Sequence, residues 1–474
     1  MQSANSQMIE SSTVDTMTFN TVILRRANSE VLLVRSGCQL ELPIVIIPKW
    51  RRVAQEVTEF ILRMWGLKTV CLFQPAAQGG DSDDAQYFVV LEARDSSSES
   101  LPPAGFNWVP REELRNGRHS IKEARSLDEI LASVDAHNGN SLDGPFARAG
   151  WFDALAAWAQ KQVDPHGLKL TGKFCQLNGS PSFSLVRLET NGPSIWFKAV
   201  GEPNRHEFPI TVMLARRFPS YLPTLIASEP SWNGWLTFEA QGAMLDENSD
   251  ISTWEKAAGA LAELQMESVT QARSLLDASC RDVRACALLE QIDPFFDVMA
   301  ELMAQQPKVP PPVLSRHELQ ALAGQLKEVC SRLNELGPSE TLGHLDFNPG
   351  NIIAGPDRCV FLDWAEACVG HPFFTFEYLR AYLSRVHPGD RTWQSKVTSR
   401  YLEPWRSFAS ADKLAEALEI APLVAVFAYA VGSGTWRDTQ RLRNPQLAGY
   451  LRALTRRMQR EGRLCEERGD RCLS

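Results

Sequence analysis

No C-x-x-C pair occurs among the ten cysteines. Zinc modules and thioredoxin-like motifs need that spacing, so both classes drop out, and scattered thiols of this kind suit a reducing compartment. Positive charge is also scarce. Lys and Arg number 49 against 57 Asp and Glu, a formal net charge of −8. Nucleic acid is therefore not an expected partner, because phosphate backbones are gripped by basic surfaces. Residues 1 to 20 lack the basic start and apolar core of a secretory signal. The longest apolar run, Ile420 to Val431, is too short to cross a bilayer and holds Pro422. It reads as a buried helix, and the expectation is a cytoplasmic protein with no membrane partner. No internal repeat is found.

What is present is ordinary globular composition, 44% hydrophobic and 22% charged over 474 residues, enough for two or three domains. The informative stretch runs from Gly343 to Glu366, where His344, Asp346, Asn351 and Asp363 stand at fixed intervals. Asn351 to Ala354 and Cys359 to Leu362 read as equal arms around the turn Gly355-Pro356-Asp357-Arg358. Equal arms bring Asn351 and Asp363 back to one end of the ribbon, and Asp346 precedes that end by five residues. Such a meeting of two carboxylates and a carboxamide suits a hard divalent cation held by oxygen. The acid not used on the cation is then free to orient a nucleophile or accept its proton. A satisfied polar turn before a hairpin is the bland alternative.

The H-x-D-x-x-x-x-N pattern followed by an aspartate after a hairpin is that of the kinase catalytic loop. The wording HLDFNPGN…FLDWAEACVGHP resembles the aminoglycoside phosphotransferase-like (choline kinase-like) family of small-molecule kinases, from about residue 165 to the C-terminus. The resemblance implies a bilobal protein-kinase-like fold of α+β class, with a small antiparallel β N-lobe (165–242) and a mainly helical C-lobe (243–474) carrying the acceptor site. It implies ATP, with GTP as the alternative, and Mg2+ as cofactors. Asn351 and Asp363 would hold the metal, Asp346 would act on the acceptor hydroxyl, and His344 would brace the loop. An aspartate usual near Thr375 is missing, with Glu377 nearby as its substitute.

Upstream, strands are expected over 174–177, 183–189 and 194–200. The turn Asn178-Gly179-Ser180-Pro181-Ser182 stands where kinases place a phosphate loop, which makes Gly179 and Ser180 candidate nucleotide contacts. An ordinary hairpin turn explains it as well. Lys198 lies inside the apolar strand Ile195 to Val200, and a lysine there needs a partner for its charge. Glu207, opening the next helix, occupies the place where the family supplies that partner to a phosphate-gripping lysine. Pro209 limits where this helix can begin, and an edge-strand lysine facing water is the other reading. Phe238 to Gly242, with the backbone of Glu239 and Ala240, forms the expected hinge against adenine. Capping boxes at Ser126 and Ser252 start helices, and further helices are expected at 282–305, 315–336, 395–409, 411–431 and 443–461.

Residues 1–16 read as a disordered tail and 126–164 as a helical linker, with 137–143 its most polar part and a domain boundary between 140 and 165. Over 17–125 the pattern is strands at 19–24 and 30–35 around a turn at 27–29, then a helix after Arg52 ending at Gly66-Leu67. Strands at 70–73 and 87–93 follow, with hydrophilic loops at 78–85 and 95–103. This order resembles a separate α/β Nudix-like domain. Arg63 and Met64 replace the glutamate pair that would hold magnesium there, so pyrophosphate hydrolysis is not expected. Homodimerisation and nucleotide sensing both fit such a domain.

Two functions compete. One is an ATP/Mg-dependent phosphotransferase acting on a hydroxyl of a small molecule such as an amino sugar or amino alcohol. The other is a nucleotide-binding pseudokinase working as a regulatory module with the front domain. Intact Lys198, Asp346, Asn351 and Asp363 favour the enzyme. Glu366, Glu377, Trp405 and Trp436 are acids and aromatics available for an acceptor site.

Overall fold

The computed structural model describes residues 15–25, 29–77, 85–94, 102–116, 120–139, 144–248 and 250–472. Nearly all of the expected tail, residues 27 and 28 of the expected turn, most of both hydrophilic loops and residues 140–143 lie outside them. The described residues form a mixed α/β protein, β-rich toward the N-terminus and helical toward the C-terminus. The chain divides into two compact units, Met1–Arg205 with Leu225–Glu239, and His206–Thr224 with Ala240–Ser474.

The first unit holds two sheets. One contains β1 (Thr16–Arg25), β2 (Glu30–Ser36), β3 (Gln39–Glu41), β4 (Ile44–Pro48), β5 (Thr69–Phe73), β6 (Tyr87–Ala93) and β7 (Phe106–Pro110). Its main path is β3-β2-β1-β6-β5, with β1 and β6 parallel. The second runs β11-β12-β10-β9-β8 and is antiparallel throughout: β8 (Leu170–Gly179), β9 (Ser184–Thr190), β10 (Ile195–Ala199), β11 (Leu225–Glu229) and β12 (Gly234–Phe238). Helix α1 (Val53–Trp65) buries Ala54, Val57 and Ile61 at helical spacing. It ends where Gly66 turns left-handed at φ 68 and donates its N–H to the Leu62 carbonyl at 3.0 Å. Helix α2 (Arg111–Arg115) is a single turn. Helix α3 (Ala124–Asn138) begins two residues before the Ser126 cap expected from the sequence.

One buried apolar cluster runs from Val22 and Leu72 through Phe152 and Leu155 of α4 (Trp151–Val163) to Val186, Phe197 and Leu236. The two sheets are also stitched together by polar atoms. Gln176 on β8 is buried, accepts the Cys71 N–H at 2.7 Å and donates to the Cys71 carbonyl at 3.0 Å. One side-chain amide thereby satisfies both backbone groups of a strand residue in the other sheet.

The second unit opens with α5 (Glu207–Arg217) and β13 (Ala243–Met244). Then follow α6 (Ile251–Ser268), α7 (Ala272–Asp277), β14 (Arg281–Val283), α8 (Ala285–Ala304) and α9 (Arg316–Leu336). After them come β15 (Thr341–His344), β16 (Ile352–Ala354), β17 (Cys359–Phe361), β18 (Ala367–Gly370), α10 (Phe373–Val386), α11 (Arg391–Leu402), α12 (Ala411–Gly432) and α13 (Pro445–Cys472). Helix α6 is capped by Asp250, which accepts the Ser252 N–H at 3.1 Å, rather than by Ser252 itself. Helix α9 carries the capping box, Ser315 with Glu318. Helix α12 contains the long apolar run. It passes a length-and-composition test for crossing a membrane, but Leu423, Val424, Phe427 and Ala428 are fully buried and Phe427 meets Phe295 of α8 edge-on at 5.5 Å. It is a core helix of this unit.

Candidate active site

Two small sheets of the second unit present the catalytic-loop residues. In one, β18 pairs antiparallel with β15 and parallel with β14, placing His344 opposite Ala367. In the other, β16 and β17 form the expected hairpin, with β13 as a third strand on β16. The turn closes by the Gly355 N–H to the Arg358 carbonyl at 2.9 Å. At the open end the Leu362 N–H donates to the Asn351 carbonyl at 2.8 Å, so Asn351 and Asp363 return to one place. The Asn351 carboxamide N–H donates to the Asp346 carbonyl at 3.2 Å, which leaves its oxygen as the outward acceptor.

His344 is braced on both nitrogens. The Asp346 N–H donates to Nδ1 at 3.1 Å, so Nδ1 carries no proton; Nε2 then donates to the Leu362 carbonyl at 3.1 Å. Burial holds the ring below the usual histidine range. A neutral imidazole with both nitrogens engaged ties the loop to the hairpin. Asp363 follows the pinned Leu362 and adopts a left-handed backbone, φ 61 and ψ 60. Aspartate is among the few side chains that tolerate this region, and such strain concentrates at functional sites.

Helix α10 supplies the residues that sequence reasoning missed. The Thr375 hydroxyl accepts the His344 backbone N–H at 2.8 Å, so Thr375 itself fixes the loop where a carboxylate was expected. The nearby acid Glu377 pairs with Arg380 at 2.9 Å. Tyr378, one turn beyond Thr375, lies near Asp346, and burial together with that carboxylate pushes its phenol up to about 12. Tyr429 is raised by burial and by its hydrogen bond with Tyr450 at 2.8 Å, and it too feels Tyr378 and Asp346. Tyr378 and Tyr429 thus lie on the Asp346 side, and Tyr450 joins them through Tyr429. Nothing local in the sequence marks them, because α10, α12 and α13 come together only in the fold. Of the earlier acceptor-side candidates, Trp405 and Trp436 are core residues at 0% and 2% exposure, and Glu366 is paired with Arg281.

The nucleotide-side candidates are divided between the units. Glu207 belongs to the second unit: it opens α5, is 2% exposed, and accommodates Pro209 in the first turn. The preceding His206 donates Nε2–H to the Ala365 carbonyl at 2.7 Å, tying the start of α5 to the turn after Asp363. Lys198 belongs to the first unit, on the central strand β10, with its ammonium 5.7 Å from the Trp235 ring centroid. In the 178–182 turn, the Ser180 N–H goes to the Phe183 carbonyl at 2.9 Å and its hydroxyl accepts the Phe183 N–H at 3.1 Å. A Cβ on Gly179 would stand 3.2 Å from the Cys71 carbonyl, so close packing between the sheets explains this glycine. Glu239 gives its N–H to the Ser194 carbonyl at 2.9 Å and its carboxylate to Arg187 at 2.6 and 2.8 Å. That ion pair holds the carboxyl below its ordinary range. Ala240 opens the second segment of the second unit.

Among the described residues no group of three or more His, Cys, Asp or Glu side chains is placed to hold a metal. The hairpin end instead offers the Asp363 carboxylate and the Asn351 carboxamide oxygen. An all-oxygen pair of this kind fits Mg2+, which keeps waters and phosphate oxygens as its other ligands, and does not fit a closed structural site.

Residues 236–409 match the model of the phosphotransferase enzyme family. No curated protein matches the chain. Among solved structures it is similar to choline kinase from Cryptosporidium parvum Iowa II, at 12% identity over 67% of this chain and 97% of that one, TM-score 0.47. It is also similar to Plasmodium vivax ethanolamine kinase, at 13% identity over 69% and 93%, TM-score 0.44. A macrolide 2'-phosphotransferase from Brachybacterium faecium aligns at 16% identity over 62% and 98%, TM-score 0.38.

Proposed function

We propose that the protein is a small-molecule phosphotransferase that moves the γ-phosphoryl group of ATP to an alcohol. The observation that carries this reading is the Asp346 carboxylate. It emerges from a loop braced by neutral His344 and Asn351, has the Tyr378 phenol nearby, and lies within a segment matching a phosphotransferase family. Asp346 accepts a hydrogen bond from the acceptor hydroxyl and takes its proton as the new O–P bond forms and the β–γ bridging bond breaks. Asn351 and Asp363 are the residues that would hold Mg2+, which when bound neutralises phosphate charge. Lys198 is the proposed phosphate-binding lysine, from its place inside an apolar strand. The Tyr378, Tyr429 and Tyr450 phenols form the acceptor side of Asp346, a setting for a polar, hydroxylated molecule.

The test is a thermal shift with Mg-ATP followed by ADP release against a panel of amino sugars, amino alcohols and other hydroxylated metabolites. Acceptor-dependent ADP release, lost in Asp346→Asn, supports the reading. A shift with nucleotide but no turnover on any acceptor would return the protein to the regulatory, nucleotide-binding alternative.

A further inference from the structure

Helix α10 has two working faces. At 100° per residue, Thr375 and Tyr378 lie on one side toward the His344–Asp346 loop, while Arg380 and Ser384 lie on the opposite side. That opposite side forms one wall of a 470 Å³ pocket completed by α11 and the start of α12. The volume falls within the range of small-ligand sites. Three guanidinium groups line it, those of Arg380, Arg391 and Arg406, together with the hydroxyls of Ser395, Thr398 and Ser399.

The charge there is one-sided. No carboxylate lines the pocket. Arg380 is engaged by Glu377 and by the Leu418 carbonyl at 3.1 Å. Arg391 and Arg406 are exposed and, among the described residues, have no carboxylate partner. Asp390, beside Arg391, is turned to the α11 terminus and accepts the Thr392 and Trp393 N–H groups. The neighbouring Glu403 is committed to Arg400 at 2.7 Å. Forked donors converging with hydroxyls match phosphate oxygens, which accept paired N–H bonds from a guanidinium.

We infer that this pocket binds a small molecule carrying two or more phosphate groups, at a site separate from the residues around Asp346. The proposal goes beyond the phosphotransferase reading and shares no residue with it, so failure of one leaves the other standing. Calorimetric titration of the full-length protein with sodium tripolyphosphate tests it. One binding event is expected that Arg391→Gln/Arg406→Gln weakens roughly tenfold or more, with nucleotide turnover unchanged. Ser395→Glu, which places a carboxylate in the pocket and leaves every arginine in place, is expected to abolish the same event. Lys198→Met should leave it intact, which separates this pocket from any nucleotide site. Citrate is expected to bind more weakly than tripolyphosphate. Absence of binding, binding unaffected by the arginine pair, or loss of binding in Lys198→Met overturns the site; citrate binding as tightly as tripolyphosphate overturns the phosphate assignment.

Discussion

The His344 backbone N–H donates to the Thr375 hydroxyl at 2.8 Å, with both residues buried, and this bond joins the catalytic loop to α10. Thr375→Val keeps the shape and removes the acceptor. A buried N–H left without a partner costs about 1–3 kcal/mol. The urea midpoint should fall accordingly and kcat should fall with it, while Thr375→Ser restores both. A Val variant as stable and active as the parent would mean that the loop is held by other bonds.

Asp346→Asn preserves volume and hydrogen-bonding shape but cannot take a proton. Positioned proton acceptors contribute about 10²- to 10⁴-fold to a rate. The expected result is a kcat loss of that order with the nucleotide thermal shift retained. Unchanged turnover would remove Asp346 from the reaction.

His371 repeats the geometry of His344. Its Nδ1 accepts the Phe373 N–H at 3.3 Å and its Nε2 donates to the Gly337 carbonyl at 3.2 Å. Burial pushes the ring down to about 4 from the ordinary 6.5. The folded protein therefore keeps this histidine neutral while the unfolded chain protonates it, and the unfolded state binds more protons between those two values. Stability is fully present above pH 6.5 and is lost as pH falls toward 4, by on the order of 3 kcal/mol. Urea titrations from pH 7 to pH 4 should show this slope, and His371→Gln should flatten it.

Gly242 sits at φ 132, where a Cβ would stand 2.3 Å from the Ala354 carbonyl oxygen. Both the backbone conformation and the space demand glycine at this junction of β13 with β16. Gly242→Ala should cost about 2 kcal/mol or more, and it should impair Mg-ATP binding because the same hairpin returns Asn351 beside Asp363. A neutral effect on the melting temperature would show that β13 can move away freely.

The loop and hairpin were legible because their logic is local. Four polar residues at fixed spacing, a Gly-Pro turn and equal arms determine where Asn351 and Asp363 meet. The helix ending at Gly66 was legible for the same reason, since a left-handed cap follows from the glycine. The Thr375 and Tyr378 contacts were not, because they depend on how α10 approaches the loop across thirty-one and thirty-two residues of chain. Nor was the continuous core of the first unit. Phe152, Leu155 and Trp151 were read as one helix face, but a face does not name its partner. Ser126 and Ser252 were misread as caps, because each falls inside its helix: α3 begins at Ala124, and α6 begins at Ile251 with Asp250 as its cap.

The stretch matching the phosphotransferase family begins at residue 236, within β12, and β12 lies between β11 and β10 in its sheet. A fragment trimmed to that border would start with three residues of one strand and leave behind every neighbour it is bonded to. Excision at the homology border should yield aggregates, since unpaired strand edges recruit other chains. Truncation for biochemistry or crystallisation has to respect the hydrogen-bonded sheets, whatever the boundaries of sequence similarity suggest.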